Sequence, residues 1–85
     1  MAGEDWSDHE NDLIIADYFA MLQDDLAGLP YGKAEHNRQL RGQIDRGRGS
    51  IEFKHQNISA VLKALGEVWI EGYKPAMKFQ MSLVS

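Results

Sequence analysis

Arg46-Gly47-Arg48-Gly49-Ser50-Ile51-Glu52-Phe53-Lys54-His55-Gln56-Asn57-Ile58-Ser59-Ala60-Val61-Leu62-Lys63-Ala64-Leu65-Gly66 is a basic glycine turn running into a helix with signals at both ends. Ser50 is suited to the N-cap, where its hydroxyl accepts an orphan backbone N–H, and Gly66 supplies the left-handed residue that closes the C-terminus. At the helical period Ile51, Ile58, Leu62 and Leu65 stack on one line. Val61 flanks it, Phe53, Ala60 and Ala64 widen the apolar arc, and Glu52, Gln56, Ser59 and Lys63 form the wet face. This spacing predicts the second helix of a helix-turn-helix within an all-α, three- to four-helix bundle.

Lys54 and Asn57 break the pattern, because both fall inside the apolar arc, where an unpartnered polar group costs about 1–3 kcal/mol. Two readings stay open. In the first, Asn57 is a structural amide tying the helix to a neighbouring loop, and Lys54 snorkels its ammonium to water. In the second, the early turns of the helix present Lys54, His55 and Asn57 to a nucleic acid while Arg46 and Arg48 clamp phosphates beside them.

A chain of 85 residues makes one small domain, here expected over residues 1–85 with a three-helix core at 6–66 and an extension at 67–85 leading towards an effector domain. Cysteine is absent, which removes disulfides and thiolate zinc sites and points to a reducing cytoplasm. His9, His36 and His55 are too scattered in sequence to suggest a ligand cluster, so no metal is expected. No run reaches the roughly 18 apolar residues of a membrane span, and the acidic start lacks the features of a signal peptide.

The net charge of −4 hides a strong asymmetry. Residues 1–29 hold the acids Glu4, Asp5, Asp8, Glu10, Asp12, Asp17, Asp24 and Asp25 and no Lys or Arg. Residues 30–56 hold Lys33, Arg38, Arg41, Arg46, Arg48 and Lys54 against Glu35, Asp45 and Glu52. The basic end therefore coincides with the glycine turn and the helix that follows it.

Towards the N-terminus, Trp6-Ser7-Asp8-His9-Glu10 reads as a capping box with Trp6 as a hydrophobic staple. Leu13, Ile14, Tyr18, Met21, Leu22 and Leu26 then predict a first helix over Asp8 to Leu26, stopped by Gly28. After the turn at Gly28 to Gly32, a second helix is predicted from Lys33 to Asp45 with Ala34, Leu40 and Ile44 facing inward. Trp69, Ile70 and Tyr73 are expected to plug the open end of the bundle, and Pro75 to start a last short helix over Ala76 to Ser85. The expected core is Leu13, Tyr18, Leu22, Leu40, Ile44, Ile58, Val61 and Leu62.

No metalloprotease, P-loop, nucleophile-elbow or nuclease pattern occurs in the chain, so no catalytic residue and no cofactor are expected. Gly47-x-Gly49 before a helix start is an ordinary way to hold a phosphate through backbone N–H groups.

Trp6-Ser7-x-x-Glu10-x-x-Leu13 is similar to the opening of Myb/SANT-like three-helix domains. Arg46-x-x-Gly49-Ser50-Ile51-Glu52-Phe53-Lys54-x-x-Asn57-Ile58 resembles a signature of an N-terminal domain found in HNH-type restriction endonucleases and related bacterial defence proteins, and Gly72-Tyr73-Lys74-Pro75 resembles a segment that follows it there. The resemblance spans roughly residues 6–75. It implies a non-catalytic DNA-binding helical module in which Lys54 and Asn57 occupy signature positions. The tryptophan that Myb repeats carry near the position of Asn57 is missing, so their contact scheme does not transfer, and Gly47 stands where the signature has a hydroxyl residue. Double-stranded DNA is thus the expected partner, met by Arg41, Arg46, Arg48, Ser50, Lys54, His55, Asn57 and Lys63. The competing expectation is a protein-interaction adaptor that docks through the acidic first helix or through the apolar segment at Met77, Phe79, Met81 and Leu83.

Overall fold

The computed structural model describes residues 6–75, and these form helices α1 (Asp8–Leu26), α2 (Lys33–Arg41) and α3 (Arg48–Ala64) with no strand among the described residues. The expected last helix over Ala76 to Ser85 lies outside them.

α1 begins at the predicted capping box. The Glu10 N–H donates to Ser7 Oγ at 3.1 Å and the Ser7 N–H to Glu10 Oε1 at 2.9 Å, so two orphan donors are satisfied reciprocally. Ile14, Tyr18, Met21 and Leu22 form its buried stripe. At its end Gly28 takes φ +74°, the Leu29 N–H reaches the Asp24 carbonyl at 2.9 Å, and the Gly28 N–H reaches that of Asp25 at 3.2 Å. α3 closes in the same way, with Gly66 at φ +77° and the Glu67 N–H on the Leu62 carbonyl at 2.8 Å. In both places only glycine meets the left-handed backbone without strain.

Two predicted boundaries move. α2 stops at Arg41 rather than Asp45, because at Gly42 the chain tightens into a turn, with the N–H groups of both Gln43 and Ile44 on the Leu40 carbonyl at 2.9 Å. Ile44 is still buried, but Ala34 is exposed. α3 starts at Arg48 with Gly47 as an extended N-cap, so Ser50 lies inside the first turn and caps nothing. The cap carbonyl of Gly47 accepts the Ile51 N–H at 3.1 Å.

Two apolar clusters share Ile58. One holds Tyr18, Met21, Leu22, Ile70 and Tyr73, the other Ile14, Leu40, Ile44 and Ile51, with Trp6 and Leu13 packed against it. Ile70 and Tyr73 plug the bundle as expected, whereas Trp69 is only half-buried. Leu13, Ile58, Val61 and Leu62 are likewise partly rather than fully buried. Leu65 and Phe53 are 65% and 44% exposed, so the apolar line of α3 does not stay inside. The turns between are buried instead through His55, Asn57 and Ser59, which moves Ser59 off the expected wet face.

Candidate functional site

The N-terminus of α3 is basic and without a side-chain cap. Gly47 offers no side-chain cap, no acid lies in the first turn, and Arg48, Gly49 and Ser50 are all exposed. Their backbone N–H groups stand at the positive end of the helix dipole, and a Cβ on Gly49 would meet only open space. A ligand can therefore approach the backbone closely. Arg41, the last residue of α2, is also exposed, and neither it nor Arg48 has a carboxylate partner among the described residues. Asn37 fixes the corner by donating from Nδ2 to the Arg48 carbonyl at 3.2 Å, which ties the first turn of α3 to α2. Asn37 is not among the residues expected to face inward from α2, yet it is 6% exposed.

Arg46 sits apart from this corner in function. Its Nε donates to Glu10 Oε2 at 3.0 Å and its terminal nitrogen to Glu10 Oε1 at 2.9 Å, while the guanidinium stacks 4.5 Å from the Trp6 ring centre. The forked pair, helped by the Ser7 N–H, holds the Glu10 carboxyl down at about 2. A cation fastened on both prongs is a structural clasp between the loop and α1, not the expected phosphate clamp. Lys54 lies 5.2 Å from the same ring and is half-buried. Loss of water around it, with Arg46 nearby, lowers its pKa from the ordinary lysine range.

His55 is corrected outright. It is fully buried, with Nε2 3.2 Å from Asp17 Oδ2 and the ring 4.7 Å from that of Tyr73, so no base edge reaches it. Asp17 also takes His36 Nδ1 on its other oxygen at 2.6 Å. Burial pushes the Asp17 carboxyl up, but the hydrogen bonds and charge supplied by His55 and His36 outweigh it and leave the pKa lowered. Residues 17, 36 and 55 thus meet from three helices, a convergence with no signal in sequence spacing. One acidic side chain between two rings is an electrostatic tie, and among the described residues no group of His, Cys, Asp or Glu is arranged to hold a metal ion.

Asn57 is 7% exposed, and its Oδ1 has no hydrogen-bond partner among the described residues. The loop contact expected of it is not formed by that oxygen. Lys63 stands fifteen residues beyond Arg48, roughly 22 Å along the helix, and rests 5.9 Å from the Trp69 ring. Arg48 and Ser50 are therefore exposed in the first turn of α3 and Arg41 at the end of α2, whereas Arg46, Lys54, His55, Asn57 and Lys63 lie outside that first turn.

No family model, no curated protein and no solved structure matches this chain.

Proposed function

We propose that the chain is a non-catalytic DNA-binding module of the helix-turn-helix kind, with α2 and α3 as its two helices, serving a larger bacterial restriction or defence protein as the sequence resemblance implies. The observation that carries this reading is the uncapped, acid-free start of α3 with the exposed Arg48 as its first residue, tied through Asn37 to α2, whose last residue Arg41 is also exposed. Backbone N–H groups, a helix dipole and two guanidinium groups without carboxylate partners suit a DNA phosphate. The connector from 42 to 47 is longer than the three- to four-residue turn common in such motifs. Footing on the duplex is accordingly assigned to the α3 start rather than to a deeply inserted helix. The contact set contracts to Arg41, Arg48, Ser50 and the amides of the first turn, and base readout through His55 is withdrawn.

Salt titration of duplex DNA binding tests it. With about two phosphates neutralised, the logarithm of affinity should fall against the logarithm of salt with a slope of about −2, instead of the roughly −3 to −4 that the larger cation set would give. Arg48→Ala should lower that slope by about one while leaving folding within about 0.5 kcal/mol of wild type. Amide shifts on adding DNA should gather at residues 41–50. Binding insensitive to salt, or shifts confined to the acidic face of α1, would reject the proposal.

A further inference from the structure

An open groove of about 340 Å³ runs between α1 and α3, walled by Ile15 and Phe19 on one side and Ile58, Val61 and Leu62 on the other. Ile15 and Phe19 are 41% and 44% exposed, so the α1 wall keeps two large apolar side chains in contact with water. Polar groups enter the groove from Asn11, Lys54 and Asn57. Asn57 is more than nine-tenths buried, and its Oδ1 and that of Asn11 are buried without a hydrogen-bond partner among the described residues. Such orphaned acceptors are costly unless something supplies a donor. Lys54 is the one charged residue lining the groove, and it has no carboxylate partner among the described residues.

The geometry points to this groove as the seat of an amphipathic helix from a partner protein, its apolar stripe lying between Phe19 and Val61, an acidic side chain meeting Lys54 and an amide N–H donating to Asn57 Oδ1. Charge complementarity selects this occupant. Lys54 is half-dehydrated and pushed towards neutrality by burial and Arg46, so an incoming carboxylate restores what it has lost. Apolar anchors at three- and four-residue spacing are how helices occupy such grooves.

The experiment titrates two short blocked helical peptides into the nitrogen-15-labelled full chain, both with a leucine stripe and glutamines beside it, one rimmed with glutamate and the other with lysine. The glutamate peptide should shift the amides of Ile15, Phe19, Lys54, Asn57 and Val61, with the lysine peptide about tenfold weaker. Phe19→Ser should abolish the shifts, and Lys54→Met, which keeps the stem and the fold, should erase the preference between peptides. No groove shift from either peptide, or equal binding of both by wild type, overturns the proposal. Groove shifts produced by raising the protein concentration alone overturn it in favour of a second copy, and groove shifts produced by duplex DNA overturn it in favour of nucleic acid. Failure of DNA to bind the α2–α3 corner leaves this result untouched.

Discussion

The first turn of α3 and its middle turns are both rich in polar side chains and put them to opposite uses. Arg48 and Ser50 stand in water at an uncapped helix start, with their cationic and N–H donors turned outward. Two to three turns later His55 and Ser59 are fully buried against α1: His55 Nε2 lies 3.2 Å from Asp17 Oδ2, and Ser59 Oγ lies 2.6 Å from the Tyr18 hydroxyl. Tyr18 in turn accepts the Ile70 N–H at 2.9 Å. The middle of the helix thus spends its polarity on fixing three helices and the C-terminal segment to one another, and its start leaves polarity unspent. A helix face is assigned to solvent or to structure by whether its partners lie across the fold, which residue type alone does not reveal.

The comparison breaks first at the buried turns. Ile51→Ala, at a fully buried position between α2 and α1, should cost on the order of 2–5 kcal/mol and unfold much of so small a domain in denaturant titration. Tyr18→Phe keeps the ring and removes only the hydroxyl. It should still cost about 2 kcal/mol, since both Ser59 Oγ and the Ile70 N–H lose their partner inside the core. Retention of wild-type stability by Tyr18→Phe would mean that the tie to residue 70 is not a structural one.

The fold was legible wherever local chemistry decides it. Ser7 with Glu10, the bounds of α1 and the two left-handed glycines are all short-range signals that lie where they were expected, while of the apolar series of α1 Leu26 is 64% exposed. The start of α3 differs from the expected one because Ser50 is the better cap by residue type, whereas the helix begins at Arg48 with Gly47 extended as its N-cap. Of the candidate site, the exposed cations at 41 and 48 were legible from charge distribution. Long-range partners decided the rest. Arg46 is claimed by Glu10, 36 residues away, and His55 by Asp17 in another helix, and no spacing rule encodes those pairings.

A smaller effect appears in acid. The Glu10 carboxyl sits at about 2 against an ordinary 4.5, so the unfolded chain binds its proton more readily than the folded one. Stability from the Arg46 clasp is therefore fully present above about pH 4.5 and is lost as pH falls towards about 2, and Asp17, also lowered, acts in the same sense. Glu10→Gln retains a capping-box side chain and removes the charge. Its urea midpoint should be lower than wild type at neutral pH and fall less steeply between about pH 5 and 2, the two curves converging at the acid end. Parallel curves would show that the clasp adds no linkage.

The finest division is between two serines that are both N-cap candidates by residue type. Ser7 accepts the Glu10 N–H at 3.1 Å as a true N-cap, so Ser7→Ala should cost about 1 kcal/mol. Ser50 lies two residues past the N-terminus of α3, is exposed, and has no capping bond, so Ser50→Ala should move the melting midpoint by no more than about 0.5 kcal/mol implies, in either direction. Its effect should instead appear in DNA affinity at low salt, because the hydroxyl stands among the free amides that would meet a phosphate. A Ser50→Ala variant as destabilised as Ser7→Ala would restore Ser50 to the cap, shorten α3 at its start and cover the very N–H groups on which the nucleic-acid reading rests.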